Sequence, residues 1–251
     1  MKLFVSLFAY SFAKHHWPHA DAAAAREIEL GESSSVPGFR TFHRLRKLAD
    51  HLELHRDDST LIARARDRAA GAFLRSSCDQ WIAIDDDVDA DDAACHALLE
   101  KIPNGILAAA MRVRAVAPDG SHPFALVIDP HSEPVDAERL TSHPFLVRRT
   151  GMGLTRFPRD MIEHIAARYT EQEWDEPDPV RSGAPTRKTT VTITAPGIFL
   201  ETVRNREWLS EDYAFSERAH ACGVPIWTVV LPGVTHAGIP NVAKPTPPSR
   251  L

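Results

Sequence analysis

The chain has 251 residues, 43% of them hydrophobic and 25% charged, with a net charge of −5. That length holds one large α/β domain or two small ones with a sizeable core, and the acidic balance argues against a general nucleic-acid binder. The three cysteines, Cys78, Cys95 and Cys222, form no Cys-x-x-Cys pair, which argues against a disulfide framework or zinc site and fits a reducing compartment.

The opening apolar run is short, and Lys14, His15 and His16 follow where a signal-peptide cleavage region should be small and neutral. Residues 3–8 therefore read as a buried first strand, with a loop over 10–19. His15, His16 and His19 cluster in that loop without a cysteine or acidic partner. A loop over 32–38 and a helix over 39–54 come next. The spacing predicts a helix over 59–77, where Leu61, Ile62, Ala65, Ala69, Phe73 and Leu74 recur on one face and Asp58 or Ser59 can cap the start. Residues 81–84 form a short buried strand, and 91–101 a helix stopped by Pro103-Asn104-Gly105. A strand over 106–113 follows, whereas the Pro-, His- and Asp-rich stretch 118–150 gives no clear element. Further on come a helix over 158–169, a polar mobile surface loop over 171–188, a helix over 211–222 and a strand over 225–231. The domain is expected to occupy 1–238, with a proline-rich tail over 239–251. No stretch approaches the ~20 apolar residues that span a membrane. Strands alternating with helices imply a layered α/β sheet, whose ligands bind beyond the carboxyl ends of the strands.

The residues after each strand are therefore the ones that matter. The strand over 81–84 runs into Asp85, Asp86, Asp87, Asp89, Asp91 and Asp92, six carboxylates in eight residues. Such a run repels itself unless some groups face water or share a cation. Asp89, Asp91 and Asp92 suit the cap and first turn of the next helix. Asp85 and Asp87, two apart, can lie on one side of an extended segment, and Mg²⁺ or Mn²⁺ uses one or two such carboxylates with substrate phosphates. A calcium loop of the EF-hand kind would need glycine and glutamate where Ala90 and His96 stand. A haloacid-dehalogenase nucleophile motif would need threonine or valine where Asp89 stands.

Ser210-Glu211-Asp212 opens the last major helix, as a cap with first-turn acids or with Asp212 as a general base. His236 follows the strand 225–231 in a Gly-flanked loop, where imidazole can serve as a surface group or as a Mn²⁺ ligand beside carboxylates. Arg64 and Arg68 share a helix face that reads as a solvated basic surface with Asp67, while Arg66 points elsewhere and is free to approach a diphosphate. Gly151-Met152-Gly153 marks a turn or a close backbone approach to a ligand, and no P-loop or Gly-x-Gly-x-x-Gly motif is present.

In this order, Ala65-Arg66-Asp67, Asp85-Asp86-Asp87, Gly151-Met152-Gly153, Ser210-Glu211-Asp212-Tyr213-Ala214-Phe215 and His236-Ala237-Gly238, the chain resembles GT-A glycosyltransferases. The likeness is to the small bacterial, phage and viral enzymes related to family 2, and it spans residues 3–238. Asp67 stands where those proteins usually carry asparagine. The resemblance implies a Rossmann-like, mixed and mostly parallel sheet flanked by helices, in a cytoplasmic enzyme. It implies Mn²⁺ or Mg²⁺ held by Asp87, His236 and Asp85, and a UDP- or GDP-sugar donor contacted by Ala9, Tyr10, Arg66, Asp85 and Asp86. Asp212, or Glu211, would deprotonate the acceptor hydroxyl with inversion, the acceptor being a glycan, a protein or a modified nucleic-acid base. Two other readings stay open. A nucleotidyltransferase with a related sheet would show a Gly-rich loop after the first strand, and residues 9–19 contain no glycine. The other is a catalytically inactive nucleotide-sugar-binding module.

Overall fold

The computed structural model describes residues 1–8, 29–57, 61–100, 104–112, 116, 123–128, 143–169, 172–177, 190–236 and 239–240. The first half contains β1 (Lys2–Phe8), α1 (Pro37–Leu48), β2 (His51–Asp57), α2 (Ile62–Arg75), β3 (Gln80–Asp85), β4 (Val88–Ala90), α3 (Asp92–Glu100) and β5 (Ile106–Ala109). After these come β6 (Leu126–Ile128), β7 (Phe145–Thr150), β8 (Leu154–Pro158), α4 (Arg159–Ala166), β9 (Gln172–Pro177) and β10 (Thr190–Ala195). The chain continues through β11 (Thr202–Arg204), β12 (Glu207–Leu209), α5 (Glu211–Ala221), β13 (Ile226–Val229), β14 (Val234–His236) and β15 (Ile239–Pro240).

Eight strands form the central sheet in the order β2-β1-β3-β8-β5-β13-β7-β6. The pairs β1–β2, β1–β3 and β5–β13 are parallel and the other four antiparallel, so six strands share one direction and β7 and β8 oppose them. This is the mixed α/β sheet flanked by helices that the sequence implies, with most strands aligned.

The period-two alternation of strands sorts side chains onto two faces. Leu3, Val5, Leu7, Ile82 and Ile84 pack with Phe39, Phe42 and Leu45 of α1 and Leu98 and Leu99 of α3. Phe4, Phe8 and Trp81 turn the other way, toward Ala69 and Phe73 of α2, Ile162 and Ile165 of α4, and Phe215 and Ala219 of α5. Aromatic stacking knits this second core: Trp81 lies 4.4 Å from Phe157, and Phe199 lies 4.4 Å from Phe215, ring centre to ring centre. Such pairs add about 0.5–1.5 kcal/mol each beyond their buried area. The indole N–H of Trp81 donates to the Ser6 hydroxyl at 2.7 Å, which satisfies both groups away from water.

Four expectations need correction. The helix predicted over 39–54 starts at Pro37 and ends at Leu48, and β2 follows. Leu52 and Leu54 alternate with Glu53 and His55, and that period of two belongs to a strand. The strand β8 stands between the Gly151-Met152-Gly153 turn and its helix, where its backbone pairs with β3 on one side and β5 on the other while Leu154 and Phe157 turn into the two opposite cores. The segment 118–150, which gave no clear element, contributes β6 and β7. The surface loop expected over 171–188 contains β9, which pairs antiparallel with β10. Loop residues 10–19, with His15, His16 and His19, lie outside the described residues, as does the tail beyond Pro240.

Candidate active site

Two small strands build the first half of the site. After Asp85 the chain turns through Asp86 and Asp87 into β4. There Val88 pairs with His236, and Asp89 with Thr235, of the antiparallel strand β14. That register sets the His236 ring beside Asp87, with Nε2 3.5 Å from Asp87 Oδ1. The other ring nitrogen, Nδ1, lies 2.7 Å from the Arg112 carbonyl oxygen, which can only accept. Nδ1 therefore carries a proton, which in the neutral ring leaves Nε2, on the Asp87 side, as the nitrogen that can bind a cation. Metal-bound histidines are held in this way, with the second nitrogen donating to a carbonyl or carboxylate. A separation of 3.5 Å exceeds a normal hydrogen bond. It lies within the span of two ligands on one cation whose bonds measure about 2.0–2.2 Å. The nitrogen-plus-carboxylate pair suits Mn²⁺ in donor type.

The second half is a cluster around Arg66, which projects from α2 and is only 2% exposed. Its Nη2 lies 3.2 and 3.3 Å from the two Asp85 oxygens. Its Nη1 lies 3.3 Å from Glu211 Oε1 and also contacts Asp212 Oδ1. Asp212 receives a further hydrogen bond at 3.2 Å from the Met152 backbone N–H. One buried guanidinium thus gathers carboxylates from the end of β3 and the start of α5. The sequence reading aimed Arg66 at a diphosphate, and in this structure it is committed to these three acids.

The glycine turn joins the two halves. Asp85 N–H donates to the Gly153 carbonyl at 2.8 Å, and a Cβ on Gly153 would stand 3.2 Å from Asp85 Oδ2 and 3.3 Å from Val88 Cγ2. Gly38, in the first turn of α1, lies closer still. A Cβ there would meet Leu7 Cδ1 at 2.6 Å, Asp85 O at 2.9 Å and Asp86 Cα at 3.0 Å. The Gly38 N–H donates to the Asp86 carbonyl, and the Asp86 N–H to Phe8, which pins the acidic turn from both sides. Asp86 itself is buried.

The remaining acids follow the structural reading in part. Asp91 caps α3, accepting from the Ala94 N–H at 2.8 Å, and Asp92 stands in the first turn. Asp89 does not cap. It binds Arg40 at 2.8 Å and Arg44 at 2.6 Å, tying β4 to α1. Asp67 is a core group whose Oδ1 accepts the Phe199 N–H at 2.9 Å. Burial pushes its carboxyl up to about 7, against the hydrogen bonds from Phe199 and Ile198 and the nearby Arg218 charge.

Of the expected site residues, Asp87 and His236 come together, as do Arg66, Asp85, Glu211 and Asp212. Ala9 and Tyr10 lie outside the described residues. Sequence reasoning missed three contributors: the Met152 N–H, the Arg112 carbonyl and Gly38. The first two are backbone groups, which every residue carries, so no residue type announces them. The dipeptide Pro37-Gly38 did carry a signal, because proline favours the first turn of a helix.

No protein-family model and no curated protein matches the chain. Among solved structures it is similar to A197 from STIV, at 12% identity and a TM-score of 0.45, covering 92% of this chain and 82% of that one. It is also similar to GalNAc-T7, solved with UDP, GalNAc and Mn²⁺, at 11% identity and a TM-score of 0.38, covering 94% of this chain but 43% of that one.

Proposed function

We propose that the chain is a metal-dependent glycosyltransferase of the GT-A kind, moving a sugar from a nucleotide-diphosphate sugar to an acceptor hydroxyl. The observation that carries this reading is the meeting of Asp87 and His236, with the His236 Nδ1 proton committed to the Arg112 carbonyl. Those two side chains would hold Mn²⁺ or Mg²⁺, whereas Asp85, expected as a further ligand, has both its oxygens on Arg66. When bound, the cation would neutralise charge developing on the departing diphosphate.

The chain's own residues supply the rest. Asp212 is the proposed base for the acceptor hydroxyl, and a direct displacement with such a base inverts the anomeric centre. Arg66 and the Met152 N–H fix its carboxylate in place, so that it meets the acceptor in one orientation. Arg66 is a positioning residue in this scheme, because it also locks Asp85 to the same framework. Glu211 shares the Arg66 guanidinium and is the secondary candidate for the base.

The test is nucleotide release from a panel of UDP-, GDP- and CDP-sugars, with Mn²⁺ and with EDTA, beside calorimetric donor binding. Wild-type protein should release nucleotide from one donor class in Mn²⁺ alone. Asp87→Asn and His236→Ala should each weaken metal-dependent donor binding by roughly tenfold or more. Donor binding that is equally tight in EDTA and in both variants would overturn the assignment. Tight, metal-dependent binding without turnover would replace the enzyme by a nucleotide-sugar-binding module.

A further inference from the structure

A second group of ligand-type side chains lies at the opposite end of the sheet. His51 and Glu53, two apart on the edge strand β2, project from the same face. Cys78 reaches them from the loop between α2 and β3. The Cys78 thiol donates to Glu53 Oε1 at 3.4 Å, and His51 Nε2 lies 3.4 Å from the same oxygen. One ligand atom from each of the three residues falls within 4.8 Å of the others. They start where the strands begin, since His51 pairs with Lys2 and Gln80 with Leu3. Asp85 and Asp87 stand beyond the other end of β3.

We infer that His51, Glu53 and Cys78 form a binding site for a thiophilic divalent cation of the Zn²⁺ class, independent of the proposed donor site. Sulfur, imidazole nitrogen and carboxylate oxygen together select zinc rather than magnesium or calcium. With bonds of about 2.0–2.3 Å in a tetrahedron, neighbouring donor atoms stand about 3.3–3.6 Å apart. The two 3.4 Å separations already match that spacing. The charge also balances. Binding displaces the thiol proton to solvent, and one thiolate with one carboxylate neutralises the dication.

The surroundings fit a fixed ligand on one side and an approach on the other. Cys78 is fully buried, while the His51 side chain is half exposed and opens the site to solvent. Arg159 holds the Cys78 loop rigid, donating to the Cys78 carbonyl at 2.6 Å and to the Ser76 carbonyl at 3.0 Å. The Cys78 N–H is taken by the Ser76 hydroxyl at 3.2 Å. A bound cation would clamp the edge strand β2 to the loop that leads into β3. This revises the sequence reading, which excluded zinc because the cysteines are far apart. Cys78 finds its partners through the fold, 25 and 27 residues away in the chain.

Cobalt titration followed by absorption is the direct test, because a cobalt–thiolate bond gives a charge-transfer band that oxygen and nitrogen ligands do not. The full chain should show this band and lose it on addition of Zn²⁺. The band should vanish in Cys78→Ser and persist in the double variant Cys95→Ser/Cys222→Ser. It should also persist in Asp87→Asn/His236→Ala, which separates this site from the proposed donor site. His51→Ala, on an exposed side chain, keeps the test decisive should Cys78→Ser fail to fold. It should weaken Co²⁺ binding by about tenfold or more. Absence of the band in folded wild-type protein, its survival in Cys78→Ser, or unchanged affinity in His51→Ala would overturn the assignment.

Discussion

Asp212 is held by two groups of different kinds, a charged guanidinium and a neutral backbone N–H. Arg66 and the Met152 N–H bind different carboxylate oxygens, so asparagine at this position keeps an acceptor for only one of them, and it cannot take a proton. Asp212→Asn should therefore lower kcat by about 10²–10⁴-fold, the usual worth of a general base, while donor binding stays within twofold or so of wild type. Calorimetry beside steady-state kinetics checks both halves. At Asp67 the stakes are stability. Its folded carboxyl titrates at about 7 against 3.8 when unperturbed, because burial disfavours the charged form. Below about pH 4 the acid is neutral in both folded and unfolded chains, and its contribution is complete. As pH rises toward 7 the unfolded chain ionises first, so stability falls across that window and levels off above it. Asp67→Asn imitates the neutral acid and can still accept the Phe199 N–H. It should be more stable than wild type at pH 8 by roughly 1–3 kcal/mol and nearly equal to it at pH 4, as read by urea denaturation at both pH values.

At the scale of elements, the acidic turn depends on α1 as much as on β3. Gly38 lets the first turn of that helix touch the backbone of Asp85 and Asp86. Backbone atoms cannot swing aside as a flexible side chain can. Gly38→Ala should therefore cost about 1–3 kcal/mol by overpacking and should also displace the turn that carries Asp87. Thermal melts would read the first effect and Mn²⁺ titration the second. The hairpin β11–β12 is braced differently. Asn205 and Arg206 both take positive φ, 53° and 67°, as a two-residue turn of the mirror-image kind requires. Arg204 and Arg149 then meet on Glu217 of α5, at 2.5 and 2.8 Å, and Arg149 reaches Glu207 at 2.9 Å. Burial alone would raise the Glu217 carboxyl, but hydrogen bonds from Arg149 and Arg148 hold it below its ordinary value. The hairpin that leads into Ser210-Glu211-Asp212 is thereby fastened to α5 and β7.

Across the whole molecule, the site draws on both faces of the sheet. Val88, beside Asp87, packs in the core under α1 and α3, whereas Phe215 of α5, which carries Asp212, packs in the core under α2 and α4. A donor bridging the two halves should stabilise both cores at once. Mn²⁺ and a nucleoside diphosphate together should then raise the melting temperature by more than the sum of their separate effects, because a cation shared by the protein and the diphosphate makes each ligand bind more tightly in the presence of the other. Purely additive shifts would count against a shared site. Among the described residues no helix is long and apolar enough to cross a membrane.

The sequence by itself determined the elements whose periodicity is local. The first strand, the helix carrying Arg66, the strand ending in Asp85 and the helix opening at Glu211 were all legible, because their apolar residues recur at fixed spacing. It also marked Asp87, Asp212 and His236 as reactive types placed after strands or at a helix start. Only the tertiary structure decided who meets whom. The partnership of Asp87 with His236 depends on the β4–β14 register, and that of Arg66 with three acids depends on the fold bringing the end of β3 and the first turn of α5 to one guanidinium. Both are contacts between residues far apart in the chain, and no local pattern encodes them. The same cause kept Cys78 apart from His51 and Glu53, whereas the period-two alternation of Leu52 and Leu54 did mark the edge strand β2 locally. Pairing between distant strands is chosen by the energy of the whole sheet.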